Sequence, residues 1–161
     1  MTPIAQTPTI VAMVARAWFF LACALALHVA DEALTGFLPV WNATVAGVRS
    51  VMPWAPLPSF PFWLWLGGLI AAVLAMLVCT PLVARGVRWT RPVAWFLGIV
   101  MVGNAIGHTL GTIFGRTLAS VRFARPMPGF YSSPVLLLAA IWLILVLRAT
   151  ARVSPVRVAR P

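Results

Sequence analysis

The sequence predicts an all-α protein, an integral membrane bundle of four transmembrane helices forming one domain over residues 1–161. Three observations predict it. The chain is 62% hydrophobic and only 9% charged, with a mean hydropathy of +1.00. A soluble domain carries roughly 25% charged residues, and a chain this short leaves too much surface exposed to hide so apolar a composition. Four apolar runs approach or exceed the ~20 residues that span a bilayer. Between them, prolines, glycines and arginines punctuate the chain. All twelve basic residues are arginine, and the net charge is +10. They are scattered over short loops rather than gathered on one face. That pattern fits membrane topology and contact with lipid headgroups, and argues against a nucleic-acid partner.

The first span is expected at residues 10–34. A retained helix fits better than a cleaved signal peptide, because no basic residue precedes the run and a cut after Ala30 would put His28 where a small residue is needed. Residues 36–61 form a connector in which Pro39, Pro53, Pro56, Pro58 and Pro61 forbid one continuous helix. Residues 40–52 can still form a short helix on the membrane surface, with Trp41, Val45 and Val48 on its apolar side. Trp41, Trp54, Trp63 and Trp65 suit an interfacial aromatic belt. Asn42-Ala43-Thr44 fits a glycosylation sequon. The second span is expected at residues 62–84, followed by a short loop crowded with Arg85, Arg88 and Arg91. The third is expected at 92–114. A second connector over 116–133 holds Arg122, Arg125, Pro126, Pro128 and Gly129. The fourth span, 134–147, is short, and Arg148 can snorkel to extend it. Residues 148–161 read as a disordered basic tail. Cys23 and Cys79 both fall in apolar runs and read as small buried hydrophobes.

Four spans put the termini and the 85–91 loop on one side. That side holds Arg16, Arg85, Arg88, Arg91, Arg148, Arg152, Arg157 and Arg160; the other holds Arg49, Arg116, Arg122 and Arg125. The excess places both termini in the cytoplasm, in the inner (plasma) membrane.

The chemistry is concentrated in one stretch. The chain has two acidic residues, Asp31 and Glu32, and two histidines, His28 and His108. On a helix, i, i+3 and i+4 share a face, so His28, Asp31 and Glu32 project together. Adjacent side chains diverge by about 100°. Glu32 therefore stands almost directly above His28, while Asp31 lies on the flank, free to bridge to another helix or meet interfacial water. In the third span Asn104 and His108 have the same i, i+4 spacing. His28 lies twelve residues beyond Arg16 and Asn104 thirteen beyond Arg91, so both sit roughly 18–20 Å above their arginines at ~1.5 Å per residue. Two parallel ladders, His28/Glu32 and Asn104/His108, can face each other at one depth, lining one cavity. Gly103, Gly107, Gly111 and Gly115 form a neighbouring stripe, on which another helix is expected to pack closely.

These motifs resemble a known family. His28-Val29-Ala30-Asp31-Glu32 is similar to the signature of the HXXEE-domain membrane proteins, with Asp31 for the first Glu. Asn104-Ala105-Ile106-Gly107-His108 matches that family's N-x-x-x-H motif. Pro126-Met127-Pro128-Gly129 stands where the family has Y-x-P-G. Pro128 and Gly129 match; Pro126 replaces the tyrosine, and Tyr131, the only tyrosine, stands two residues beyond. The resemblance covers residues 15–147 and implies a four-helix membrane bundle without implying a particular reaction.

Four readings of the cluster remain open. In the first, His28 and Glu32 exchange protons with a lipophilic substrate that Asn104 and His108 orient, with Asp31 in support. In the second, His28, Glu32 (or Asp31) and His108 hold a divalent metal such as zinc, with Asn104 outside the ligand set. In the third, the polar row binds a small ligand or conducts protons. In the fourth, it is only a set of interhelical hydrogen bonds, each contributing roughly 0.6 kcal/mol. Lipids and a lipophilic small molecule are the expected partners.

Overall fold

The computed structural model describes residues 8–152, and these are all-helical apart from connectors. Five helices follow in order: α1 (Pro8–Thr35), α2 (Phe37–Val51), α3 (Phe62–Ala84), α4 (Thr90–Phe114) and α5 (Ser133–Arg152). Among the described residues, four helices are long and apolar enough to cross a membrane: α1 over Val11–Thr35, α3, α4, and α5 over Ser133–Thr150.

Local chemistry sets the helix ends. Pro8 opens α1, where a missing N–H is harmless. Gly36, at φ 80°, closes it in the left-handed region, donating its N–H to the Glu32 carbonyl at 3.1 Å, and glycine takes that conformation without a Cβ clash. α2 starts at Phe37 rather than at residue 40, because Pro39 falls in the first turn, where proline is tolerated. Leu38 and Val45 are its buried residues. The Pro53–Pro61 stretch is extended, and Asn42 fastens it: its amide donates to the Phe60 carbonyl at 2.9 Å and accepts the Phe60 N–H at 3.0 Å. The amide of the apparent sequon is thus occupied as a staple. α4 ends at Gly115, φ 67°, whose N–H reaches the Gly111 carbonyl at 2.8 Å. α5 outruns the expected fourth span. Arg148 stays within the helix, its guanidinium 5.9 Å from the Trp95 ring centre, and no proline intervenes before Pro155. The rest of the basic tail, with Arg157 and Arg160, lies outside the described residues, as does the extreme N-terminus.

α1 and α5 are the central pair, with α3 packed on α1 and α4 packed on α5. The core between them includes Trp18, Leu21, Leu25, Leu136, Leu143 and Leu147. Trp18 satisfies its indole N–H on the Met76 carbonyl of α3 at 2.8 Å. Large apolar side chains cover the outside, among them Phe20, Leu64, Leu74, Phe96, Ile99 and Leu138, as a lipid-facing surface requires. The glycine stripe is a correction to the sequence reading. A Cβ on Gly103 or Gly107 would meet nothing within 4 Å, and one on Gly111 or Gly115 would meet loop residues Met127 and Arg125. The close helix approach is at Gly98 instead, where a Cβ would lie 2.9 Å from Ile144 of α5. α4 packs chiefly on α5, through a face other than the stripe.

At the end of the bundle formed by Thr35, Phe114 and Ser133, α2 and the 115–132 connector make a roof. Thr44 of α2 donates to the Thr117 hydroxyl at 3.1 Å, and a Cβ on Gly47 would touch Ala119 at 3.0 Å.

Candidate functional site

The site lies under this roof. α1 presents His28 and Glu32 one turn apart on one face, and α4 presents Asn104 and His108 with the same spacing. The two ladders meet rung for rung. His28 Nε2 lies 3.0 Å from Asn104 Oδ1, and His108 Nε2 lies 3.0 Å from Glu32 Oε1. His28 Nε2 is also 3.4 Å from that Glu32 oxygen. The imidazole rings meet edge-on, their centres 4.8 Å apart. His28, Glu32 and His108 are 1%, 4% and 3% exposed, so bulk water does not satisfy them and their partners must come from within the protein.

Asp31 takes a different place. Its Oδ2 accepts both the backbone N–H and the hydroxyl of Ser132, each at 2.8 Å. It does not reach either imidazole, because its side chain leaves the helix on the flank. The carboxylate also caps the start of α5, where orphan N–H groups and the helix dipole favour a negative charge. Ser132 Oγ in turn lies 2.8 Å from His28 Nδ1. A continuous row runs Asp31–Ser132–His28–Glu32–His108, with Asn104 branching from His28.

Three contributors are not among the expected site residues, although the family resemblance marks one of them, Gly129. Ser132 follows no motif spacing; its only local signal is a helix-start Ser-Ser-Pro. Gly129 has φ 84° and packs directly on the site. A Cβ there would come 2.7 Å from His108 Cε1 and 2.8 Å from Glu32 Cγ. Its N–H donates to Thr35 Oγ1 at 3.0 Å, and its carbonyl accepts from Ser133 Oγ at 2.8 Å. Pro128-Gly129 therefore belongs to the site as a close-fitting wall. Phe37 is the third, its ring centre 5.1 Å from that of His108. Among the described residues, His108 Nδ1 is the buried side-chain polar atom with no hydrogen-bond partner.

A groove of about 600 Å³ opens beside the cluster. Asn104 and His108 reach it, whereas His28 and Glu32 stand behind them, so the two histidines do not share this cavity wall. Phe37, Trp41 and Thr44 of α2 form one side, Gly107, Leu110 and Gly111 of α4 another, and Arg116 and Met127 belong to the connector. Gly107, which no side chain covers, is thus part of the groove. A smaller cavity of about 250 Å³, lined in part by Val83, Arg88 and Leu147, contains none of the cluster. His28, Glu32 and His108 offer donor atoms lying within 4.8 Å of one another, close enough to share one metal ion; Asp31, Cys23 and Cys79 are not in that group. No family model, no curated protein and no solved structure matches the chain.

Proposed function

We propose that the protein is a membrane-embedded enzyme acting on a lipophilic substrate bound in the roofed groove, with Glu32 and His108 as the proton-exchanging pair. The observation that carries this reading is the adjacency of two features: a buried His–Glu–His cluster, and an apolar groove into which His108 and Asn104 project. Ionisable groups at membrane depth are costly and mark functional sites by default, and a structural role alone would not require a groove at their side. Asn104 and His108 contact the substrate, His108 trading a proton with it and Asn104 orienting it. Glu32 takes up or returns that proton through His108 Nε2, and Asp31 with Ser132 holds His28 in place. The chain is proposed to lie in the inner membrane with both termini cytoplasmic, which puts the site near the opposite face, and to belong with the HXXEE-domain proteins.

The test is comparative lipid analysis of membranes from cells expressing the wild type, Glu32→Gln or no protein. At least one lipid species should change in abundance with the wild type alone. Matching profiles for all three would remove the enzyme reading. A second reading, proton translocation, is favoured by the unbroken row from Asp31 to His108. It predicts proton flux in reconstituted vesicles that Glu32→Gln abolishes, without any change in lipid composition.

A further inference from the structure

The hydroxyl of Ser132 decides the polarity of the cluster. It has one proton and three neighbours: Asp31 Oδ2 at 2.8 Å, the Gly129 carbonyl at 3.3 Å and His28 Nδ1 at 2.8 Å. The ionised carboxylate and the carbonyl can only accept. The hydroxyl proton therefore goes to one of them, and His28 must donate from Nδ1. In the neutral ring, Nε2 is then left with a lone pair. That lone pair faces Asn104 Oδ1 at 3.0 Å and Glu32 Oε1 at 3.4 Å, two further acceptors. Nitrogen and oxygen lone pairs then converge on one dry point from three side chains, an arrangement relieved by a cation at that point or by a second proton on His28. His108 Nε2 approaches the same Glu32 oxygen at 3.0 Å.

The donor spacing suits a metal. An ion with tetrahedral bonds of about 2.0–2.1 Å keeps its ligands roughly 3.3 Å apart; the two distances to Glu32 Oε1, 3.0 and 3.4 Å, bracket that value, and the three donors together lie within 4.8 Å, so the imidazoles need only a small closing movement to share an ion. Two imidazoles and a carboxylate, without thiolate, match zinc and its transition-metal neighbours, whereas calcium and magnesium favour all-oxygen cages. The Asp31–Ser132–His28 relay is the outer support that metal-binding imidazoles carry on their second nitrogen.

We propose that His28 Nε2, Glu32 Oε1 and His108 Nε2 are the protein ligands of a divalent transition metal of the zinc class, oriented by Ser132 and Asp31, with a fourth position for water or substrate. The proposal rests on the reading of the cluster as the reactive centre, and with Glu32 Oε1 and His108 Nε2 taken as ligands it replaces the direct proton exchange between them. Such a metal would supply Lewis-acid polarisation of the substrate or a water acidic enough to react near neutral pH.

The full-length protein, purified in detergent without metal-chelating resin, is analysed for metal, stripped with chelator and titrated with zinc and cobalt. The stripped wild type should regain about one ion per chain, melt at a higher temperature with zinc, and show the intense visible bands of tetrahedral cobalt. Glu32→Gln and His108→Gln should lose all three responses. Ser132→Ala keeps every ligand and should bind 10- to 100-fold more weakly, a shift readable even where a ligand variant fails to fold. No thermal shift and no cobalt bands in the wild type at excess metal would overturn the proposal, as would full affinity in Glu32→Gln. A Glu32-dependent lipid change in metal-free protein also overturns it and leaves the acid–base enzyme standing. Stoichiometric metal without any lipid change upholds the metal site and ends the enzyme reading instead.

Discussion

Glu32 is the carboxylate that both imidazoles face, and Asp31, its neighbour in sequence, is the one that holds Ser132. The two should separate in experiment. Glu32→Gln keeps shape and hydrogen-bonding capacity but removes the proton-transfer group, so lipid conversion should fall by roughly 10²- to 10⁴-fold in a folded protein. Asp31→Asn should retain more activity but melt at a lower temperature, because charge-assisted bonds to the start of α5 contribute about 1.5–3 kcal/mol each. Thermal denaturation and lipid analysis of both variants check the pair. Gly129→Ala gives a third outcome. Its φ of 84° and the 2.7 Å approach to His108 leave no room for a methyl group. Strain of about 1–3 kcal/mol and a displaced imidazole should lower stability and activity together, measurable in the same assays. The facing of His28/Glu32 with Asn104/His108 was legible from the i, i+4 spacing and the depth of each pair. Ser132 was not, because a serine before a proline at a helix start signals a cap, and only the tertiary fold brings it to His28.

At the scale of elements, spans were legible and their neighbours were not. Hydropathy and proline placement read the four long helices to within a few residues, since length and apolarity are local properties. Which helix packs on which depends on side-chain fit that periodicity does not encode. The glycine stripe of α4 pointed to a helix contact, and the contact is made five residues before its first member, at Gly98 on another face of the helix. The two kinds of glycine predict opposite behaviour. Gly98→Leu drives a side chain into Ile144 and should destabilise the α4–α5 pair by about 1–3 kcal/mol, the usual penalty of overpacking. Gly107→Leu meets open space and should leave the melting temperature unchanged or raise it slightly. It should nonetheless abolish lipid conversion by filling the groove; unimpaired conversion in folded Gly107→Leu would show that the groove is not used.

For the whole molecule, the arginine asymmetry sets the proposed orientation. In a Cys23→Ala, Cys79→Ala background, Arg88→Cys and Arg157→Cys should react with a membrane-impermeant maleimide only after permeabilisation. Leu118→Cys, fully exposed on the roof connector, should react in intact cells. Labelling of positions 88 and 157 from opposite sides would exclude a four-span arrangement. The number of apolar helices was legible because it rests on counting residues along the chain; the orientation is a proposal that the labelling decides. The roof was only partly legible. A short helix in the first connector was readable from its apolar side, but its packing on residues 116–127 depends on contacts such as Thr44–Thr117 that link segments 73 positions apart.

The floor of the groove is made of Gly107, Leu110 and Gly111, on a stretch of α4 that is itself apolar enough to sit in a bilayer. An occupant arriving along that face would come sideways, through two dimensions. Its availability is then a mole fraction among lipids rather than a molarity in water. Saturation curves should collapse onto one line when plotted against surface density, and adding inert detergent should slow turnover at constant bulk concentration, as carrier molecules thin the substrate out.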